Sequence, residues 1–127
     1  MGNETSPLIY LAGPSVFRSD ATDYALWLLE LCRKYQLRGL CPIDIEADSV
    51  PRADYIFRHN TDRIVLCDIV MADLNPFCGQ EPDSGTCFEV GYAMALGKEV
   101  YGHIRTEVTV EPRELNLMLT AAVRLVH

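Results

Sequence analysis

Short apolar runs alternate with stretches of helical periodicity along the whole chain, and this alternation constrains the fold more than any other feature. Leu8–Ala12, Leu-Ile-Tyr-Leu-Ala, stops at Gly13-Pro14, the pattern of a buried strand feeding a turn. From Asp20 to Tyr35, apolar Tyr24, Leu28, Leu31 and Tyr35 recur at helical spacing with Asp23, Glu30, Arg33 and Lys34 between them, and Gly39 follows. Leu40–Asp44 reads as a second strand, and the polar stretch through Glu46, Asp48 and Pro51 reads as a surface loop, a candidate lid. Asp54–Cys67 is again helical, with Ile56, Asn60, Ile64 and Cys67 on one face. Asp68–Leu74 is a third strand, Ser84–Leu96 a helix ended by Gly97, and Glu99–Ile104 a fourth strand. Glu111-Pro112 opens a short helix through Leu119, and Ala122–Val126 is a fifth strand.

Strands alternating with helices predict an α/β chain of the flavodoxin-like, doubly wound kind: a five-stranded, mainly parallel sheet flanked by helices. At 127 residues there is room for one domain, spanning 1–127. The chain stops directly after the fifth strand, so a covering C-terminal segment is expected to be absent or disordered. Ligands in such sheets bind beyond the carboxyl ends of the strands. Those ends carry Gly13-Pro14-Ser15, Ile43-Asp44, Asp73-Leu74-Asn75 and the loop Phe77–Asp83.

Charge and cysteine usage narrow the function classes. Eleven Lys and Arg against eighteen Asp and Glu give a net charge of −7, the wrong sign for a nucleic-acid polymer or an anionic membrane. The five cysteines form no CxxC pair and mostly lie in apolar runs, which reads as buried reduced thiols rather than a metal site. No apolar stretch approaches the roughly 20 residues that span a bilayer, and the polar N-terminus lacks the parts of a signal peptide. A cytoplasmic protein is expected. There is no GxGxxG, GxxxxGK[ST] or GxSxG, and His59, His103 and His127 have no ligand spacing. No cofactor or metal is expected. Trp27 is at core spacing in the first helix and reads as packing.

The segment Phe77–Lys98 holds the most chemistry. Asp83 stands at a helix start, where it is either simply an N-cap or a functional carboxylate favoured by the helix dipole. Glu89 follows one and a half turns later among Phe88, Val90, Ala93 and Leu96, either as a surface residue or as a buried carboxylate. Two carboxylates at one pocket suit substitution at a sugar anomeric carbon, one as nucleophile and the other as acid. Tyr10 in the first strand is either core or a phenol that fixes a carboxylate rotamer. Asn60 on an apolar face needs a partner, backbone or ligand.

Taken together, Ile9-Tyr-Leu-Ala-Gly-Pro14, Pro42-Ile-Asp-Ile-Glu46, Asp68-Ile-Val-Met-Ala-Asp-Leu74, Glu81-Pro-Asp-Ser-Gly-Thr-Cys-Phe-Glu-Val-Gly-Tyr-Ala93 and Leu115-Asn-Leu-Met118 resemble the nucleoside 2-deoxyribosyltransferases, in the family's order and over nearly the whole chain. The resemblance implies nucleobase exchange on 2′-deoxyribonucleosides through a covalent deoxyribosyl-Glu89 intermediate with net retention. It implies that Tyr10 orients Glu89 and that Asp83 protonates the departing base and deprotonates the incoming one. Glu46 and Asn60 match positions lining the base pocket, and Gly13 lies in the strand-one motif at the substrate crevice. Asn116 and Met118 match residues donated by a neighbouring subunit to the deoxyribose, which implies a homo-oligomer, a dimer or a hexamer of dimers. The family uses no metal or organic cofactor. The chain departs from the family pattern: Glu46 replaces the amide that some members carry, Asn60 replaces an Asp, the stretch His103–Leu115 is short, and the final helix after the fifth strand is missing.

Two other readings compete. A nucleoside or 2′-deoxynucleoside 5′-monophosphate N-glycosidase would use the same glutamate with water as acceptor. The acidic balance, the lack of a clear Ser/Arg phosphate cluster beside Gly13-Pro14, and Asn116 weigh against the monophosphate. A receiver-like signalling module has this length and topology, but it needs acidic residues where the first strand ends in Ala-Gly-Pro.

Overall fold

The computed structural model describes residues 5–42, 52–105 and 115–127. Five strands, β1 (Leu8–Ala12), β2 (Arg38–Leu40), β3 (Ile69–Asp73), β4 (Glu99–His103) and β5 (Arg124–Val126), form one sheet in the order β2-β1-β3-β4-β5. Every pairing is parallel. The helices are α1 (Ala21–Lys34), α2 (Ala53–Leu66), α3 (Ser84–Ala95) and α4 (Leu117–Ala122), with a 3₁₀ turn at Pro14–Phe17. The fold is the flavodoxin-like α/β architecture expected from the alternation.

The strand pattern follows from burial. Tyr10, Ala12, Val70, Ala72 and Val100 point to one face, where they join Ile64 and Cys67 at the end of α2, Val90 and Ala93 of α3, and Leu119 of α4 in the core. Parallel strands buried on this scale read as continuous apolar runs rather than strict alternation. Three expected boundaries shift. β2 begins at Arg38, not Leu40, because Arg38 N–H reaches back to the Pro7 carbonyl and the register pairs Leu8 with Arg38. The last helix starts at Leu117, capped by the Asn116 side chain, which accepts from Met118 N–H. Ala122 ends that helix rather than opening β5. The proposed lid and the residues opening at Glu111-Pro112 lie outside the described residues. At the end of α3 the chain passes Leu96 and turns at Gly97, whose φ of 76° is the left-handed conformation that glycine adopts without strain.

Helix α1 corrects one reading. Its approach to the sheet runs through Leu29 and Cys32, which close so tightly on Gly39 that a Cβ there would stand 2.8 Å from Leu29 Cδ2. The Tyr24-Leu28-Leu31-Tyr35 stripe lines the open space between the helix and the sheet, and Tyr35 is 66% exposed. Trp27, expected to pack in the core, is 57% exposed and meets Tyr24, at 5.6 Å between ring centroids. On this side of the sheet an open cavity of about 590 Å³ runs between α1 and Ile9, Leu11 and Met71. Among the cysteines, Cys32, Cys41 and Cys67 are buried thiols as expected, while Cys78 is exposed because it lies in the loop before α3.

Candidate active site

Order reversal in the sheet falls between β1 and β3, the place where doubly wound folds open a crevice. Gly13 leaves β1 there, and a Cβ on it would lie 3.0 Å from Asp73 Cβ at the end of β3. The absence of a side chain lets the two strand ends come together. Asp73 Oδ1 accepts from Asn75 N–H and from the Asn75 side-chain amide, and Asn75 Oδ1 accepts from Arg105 N–H, which ties the exits of β3 and β4.

Helix α3 is predominantly apolar, yet its inward face, Thr86, Glu89, Val90 and Ala93, includes a carboxylate. Glu89 is 9% exposed, and its Oε2 accepts a hydrogen bond from the hydroxyl of the fully buried Tyr10. Burial pushes the Glu89 carboxyl up to about 7; the Tyr10 bond pulls the other way, and the nearby Asp83 charge adds to the rise. Burial likewise drives the Tyr10 phenol far up, reinforced by the Glu89 charge, so Tyr10 is held as a donor. Of the readings left open, the buried one applies to Glu89, and both apply to Tyr10, a core residue whose hydroxyl holds that carboxylate.

Asp83 is the N-cap of α3. Its Oδ2 accepts from Thr86 N–H and from Thr86 Oγ1–H, both at 2.9 Å. The cap and the functional carboxylate are thus not exclusive: the capping bonds fix a carboxylate whose charge acts on Glu89. Thr86 escaped the sequence reading; the signal for it lies in Asp83 itself, since an N-cap oxygen accepts from the N–H two or three positions on. The preceding loop is closed by Phe77 N–H donating to the Glu81 carbonyl, with Gly79 at φ 77° in its turn. Phe77 meets Phe17 of the 3₁₀ turn at 5.5 Å, linking the loop to the segment after Gly13.

The structure brings Tyr10, Glu89 and Asp83 together. Asn60 is half-buried on α2, with its Oδ1 3.5 Å from His59 Nδ1. Glu46 lies outside the described residues. Asn116 and Met118 are exposed at the start of α4, Met118 at 72%. Arg18, the cation nearest in sequence to Gly13-Pro14, pairs with Asp20 at 2.7 Å and covers the Tyr24 ring at 4.1 Å.

A sequence model of the family described as nucleoside 2-deoxyribosyltransferase matches residues 9–118. The chain belongs to that family. A 2-desoxiribosyltransferase structure from Leishmania mexicana is similar to this deoxyribosyltransferase-family chain, with 35% identity, a TM-score of 0.73, and coverage of 89% of this chain and 85% of that one. A CMP N-glycosidase structure from Clostridium botulinum shares the fold at 18% identity and a TM-score of 0.61, covering 94% of this chain and 87% of its own. An uncharacterised protein of Schizosaccharomyces pombe is 33% identical over 103 residues, 76% of this family member. The chain spans about half the length, 49%, of that curated relative. Within the described residues, no helix of this deoxyribosyltransferase-family protein is long and apolar enough to cross a membrane.

Proposed function

We propose that this protein exchanges nucleobases on 2′-deoxyribonucleosides, residues 1–127 acting as one domain, through a covalent deoxyribosyl-Glu89 intermediate. The observation that carries the reading is the buried Tyr10–Glu89 hydrogen bond beside a second, capped carboxylate. Glu89 attacks C1′ of a β-nucleoside; the C1′–N bond breaks, its electron pair leaves with the base, and an α-linked ester forms. With Oε2 occupied by Tyr10, Oε1 is the attacking oxygen. A buried carboxylate gains from this step, since positive charge develops at C1′ and the product ester is neutral. The second base then attacks from the opposite side and releases Glu89, so two inversions give net retention.

Asp83 delivers a proton to the leaving base and takes one from the incoming base. Both capping bonds fall on Oδ2, so the transferred proton rides on Oδ1. Without a 2′-hydroxyl the cationic transition state is easier to reach, which makes ribonucleosides poor substrates. In this reading Glu46 and Asn60 line the base pocket, Gly13 keeps the crevice open, and Asn116 and Met118 complete the sugar site of a neighbouring copy. Phe57, Phe88, Leu117 and Met118 are all exposed on α2, α3 and α4, apolar surface of the kind that pairs subunits. The reading needs no metal or cofactor and assigns the protein to cytoplasmic nucleoside salvage.

The test is chromatographic: thymidine or 2′-deoxyinosine with excess adenine, a no-acceptor control, and a Glu89→Ala variant. Formation of 2′-deoxyadenosine only with intact Glu89 supports transfer. Equal release of free base with and without adenine replaces transfer by N-glycosidase activity, the reaction that the Clostridium botulinum neighbour is named for.

A further inference from the structure

Helix α2 carries a ladder that the proposed reaction does not use. Tyr55, His59 and Arg63 follow one another at four-residue steps, so they stand on one face of the helix. Tyr55 stacks on His59, with centroids 5.9 Å apart and planes 27° from parallel. From the next turn, Arg63 Nε–H donates to His59 Nε2 at 3.2 Å.

That bond fixes the proton on the imidazole. A guanidinium has donors and no acceptor, so Nε2 must offer its lone pair and the ring proton resides on Nδ1. From there Nδ1–H faces two acceptors. The Pro42 carbonyl lies at 3.3 Å, two residues beyond the end of β2, and Asn60 Oδ1 lies at 3.5 Å. One half-buried ring thus joins α2 to the exit of β2 and touches the side chain read as a base ligand.

We propose that His59, with its proton held on Nδ1 by Arg63, is a positioning residue that locks α2 to the β2 exit and thereby sets Asn60 for nucleobase binding. The inference rests on Asn60 being part of the base pocket. His59 acts through Asn60 and the helix, so its loss weakens capture of the base and leaves the bond-breaking step at Glu89 intact.

Glutamine separates the clamp from the ring. Its amide carries a donor and an acceptor at nearly the spacing of the two imidazole nitrogens, whereas alanine carries neither. For His59→Ala, KM for the acceptor adenine is expected to rise about tenfold with kcat within about twofold of wild type. For His59→Gln, KM is expected to stay within about threefold of wild type. An unchanged KM in His59→Ala, or a His59→Gln as impaired as alanine, overturns the proposal. Nitrogen-15 histidine NMR gives a readout that needs no turnover and no unstable variant. In the wild-type protein, the signal that disappears in His59→Gln must be that of an Nδ1–H tautomer; an Nε2–H tautomer overturns the clamp. If the wild-type protein neither transfers nor hydrolyses, the catalytic reading fails and the tautomer alone decides the clamp.

Discussion

The Tyr10 hydroxyl donates to Oε2 of Glu89, joining the middle of β1 to the second turn of α3 across 79 positions of sequence. The bond counteracts the burial that pushes the Glu89 carboxyl up to about 7. Tyr10→Phe removes a lowering influence, so the acid limb of the kcat/KM profile is expected to move to higher pH. The deficit is therefore largest on the acid side and shrinks above pH 8. A Phe variant whose limb stays in place would show that Tyr10 does not tune the nucleophile.

The wild-type profile has its own expectation. In the proposed reaction attack requires ionised Glu89, so kcat/KM should fall as pH drops through about 7. Glu89→Gln should lower kcat by roughly 10³-fold or more at every pH, since the covalent route is gone. Steady-state rates between pH 5 and 9 check both; activity that persists undiminished at pH 5 contradicts an ionised Glu89 as nucleophile.

Stability should run the other way. The folded protein holds the Glu89 proton up to about 7, against an ordinary value of 4.5 in the unfolded chain. Between those limits the native state binds more protons, so stability falls as pH rises through this window and the full deficit applies above it. Glu89→Gln cannot ionise. It is expected to be more stable than wild type at pH 8, on the order of 3 kcal/mol, with the advantage vanishing below about pH 4.5. Thermal unfolding at three pH values decides the matter.

In the proposed reaction Asp83 performs two tasks, cap and acid, that substitutions can split. Asp83→Asn keeps an oxygen for Thr86 N–H and Thr86 Oγ1–H, so α3 stays capped, but proton transfer is lost, expected to slow base departure about 10²- to 10⁴-fold. Asp83→Ala loses the cap as well, at about 1 kcal/mol of stability. Nucleosides with better leaving bases should suffer less in both variants; an equal loss for all bases would remove Asp83 from the role of acid.

Gly102 in β4 tests the core behind the site. A Cβ there would meet Leu74 Cδ1 at 2.6 Å and Val123 Cγ2 at 2.9 Å. Gly102→Ala is expected to destabilise by about 1–3 kcal/mol while leaving kcat at low temperature near wild type. Denaturant unfolding measures the first and initial rates the second.

The sequence by itself determined the order and kind of nearly every element, because strand runs and helical periodicity are local and each must bury its own apolar side. β1 spans Leu8–Ala12 as expected, and α3 starts at Ser84 behind its Asp83 cap. The family motifs also single out Tyr10, Asp83 and Glu89. What tertiary structure decided is where those elements face. A helical stripe fixes the spacing of apolar residues but not which neighbour exists to cover them, so α1 turned Leu29 and Cys32 to the sheet and left Trp27 exposed. In the same way, no local pattern distinguishes Glu89 on the surface from Glu89 under β1. That distinction arises only when β1 delivers Tyr10 to it, because desolvation and the partner hydrogen bond depend on distances between segments far apart in the chain.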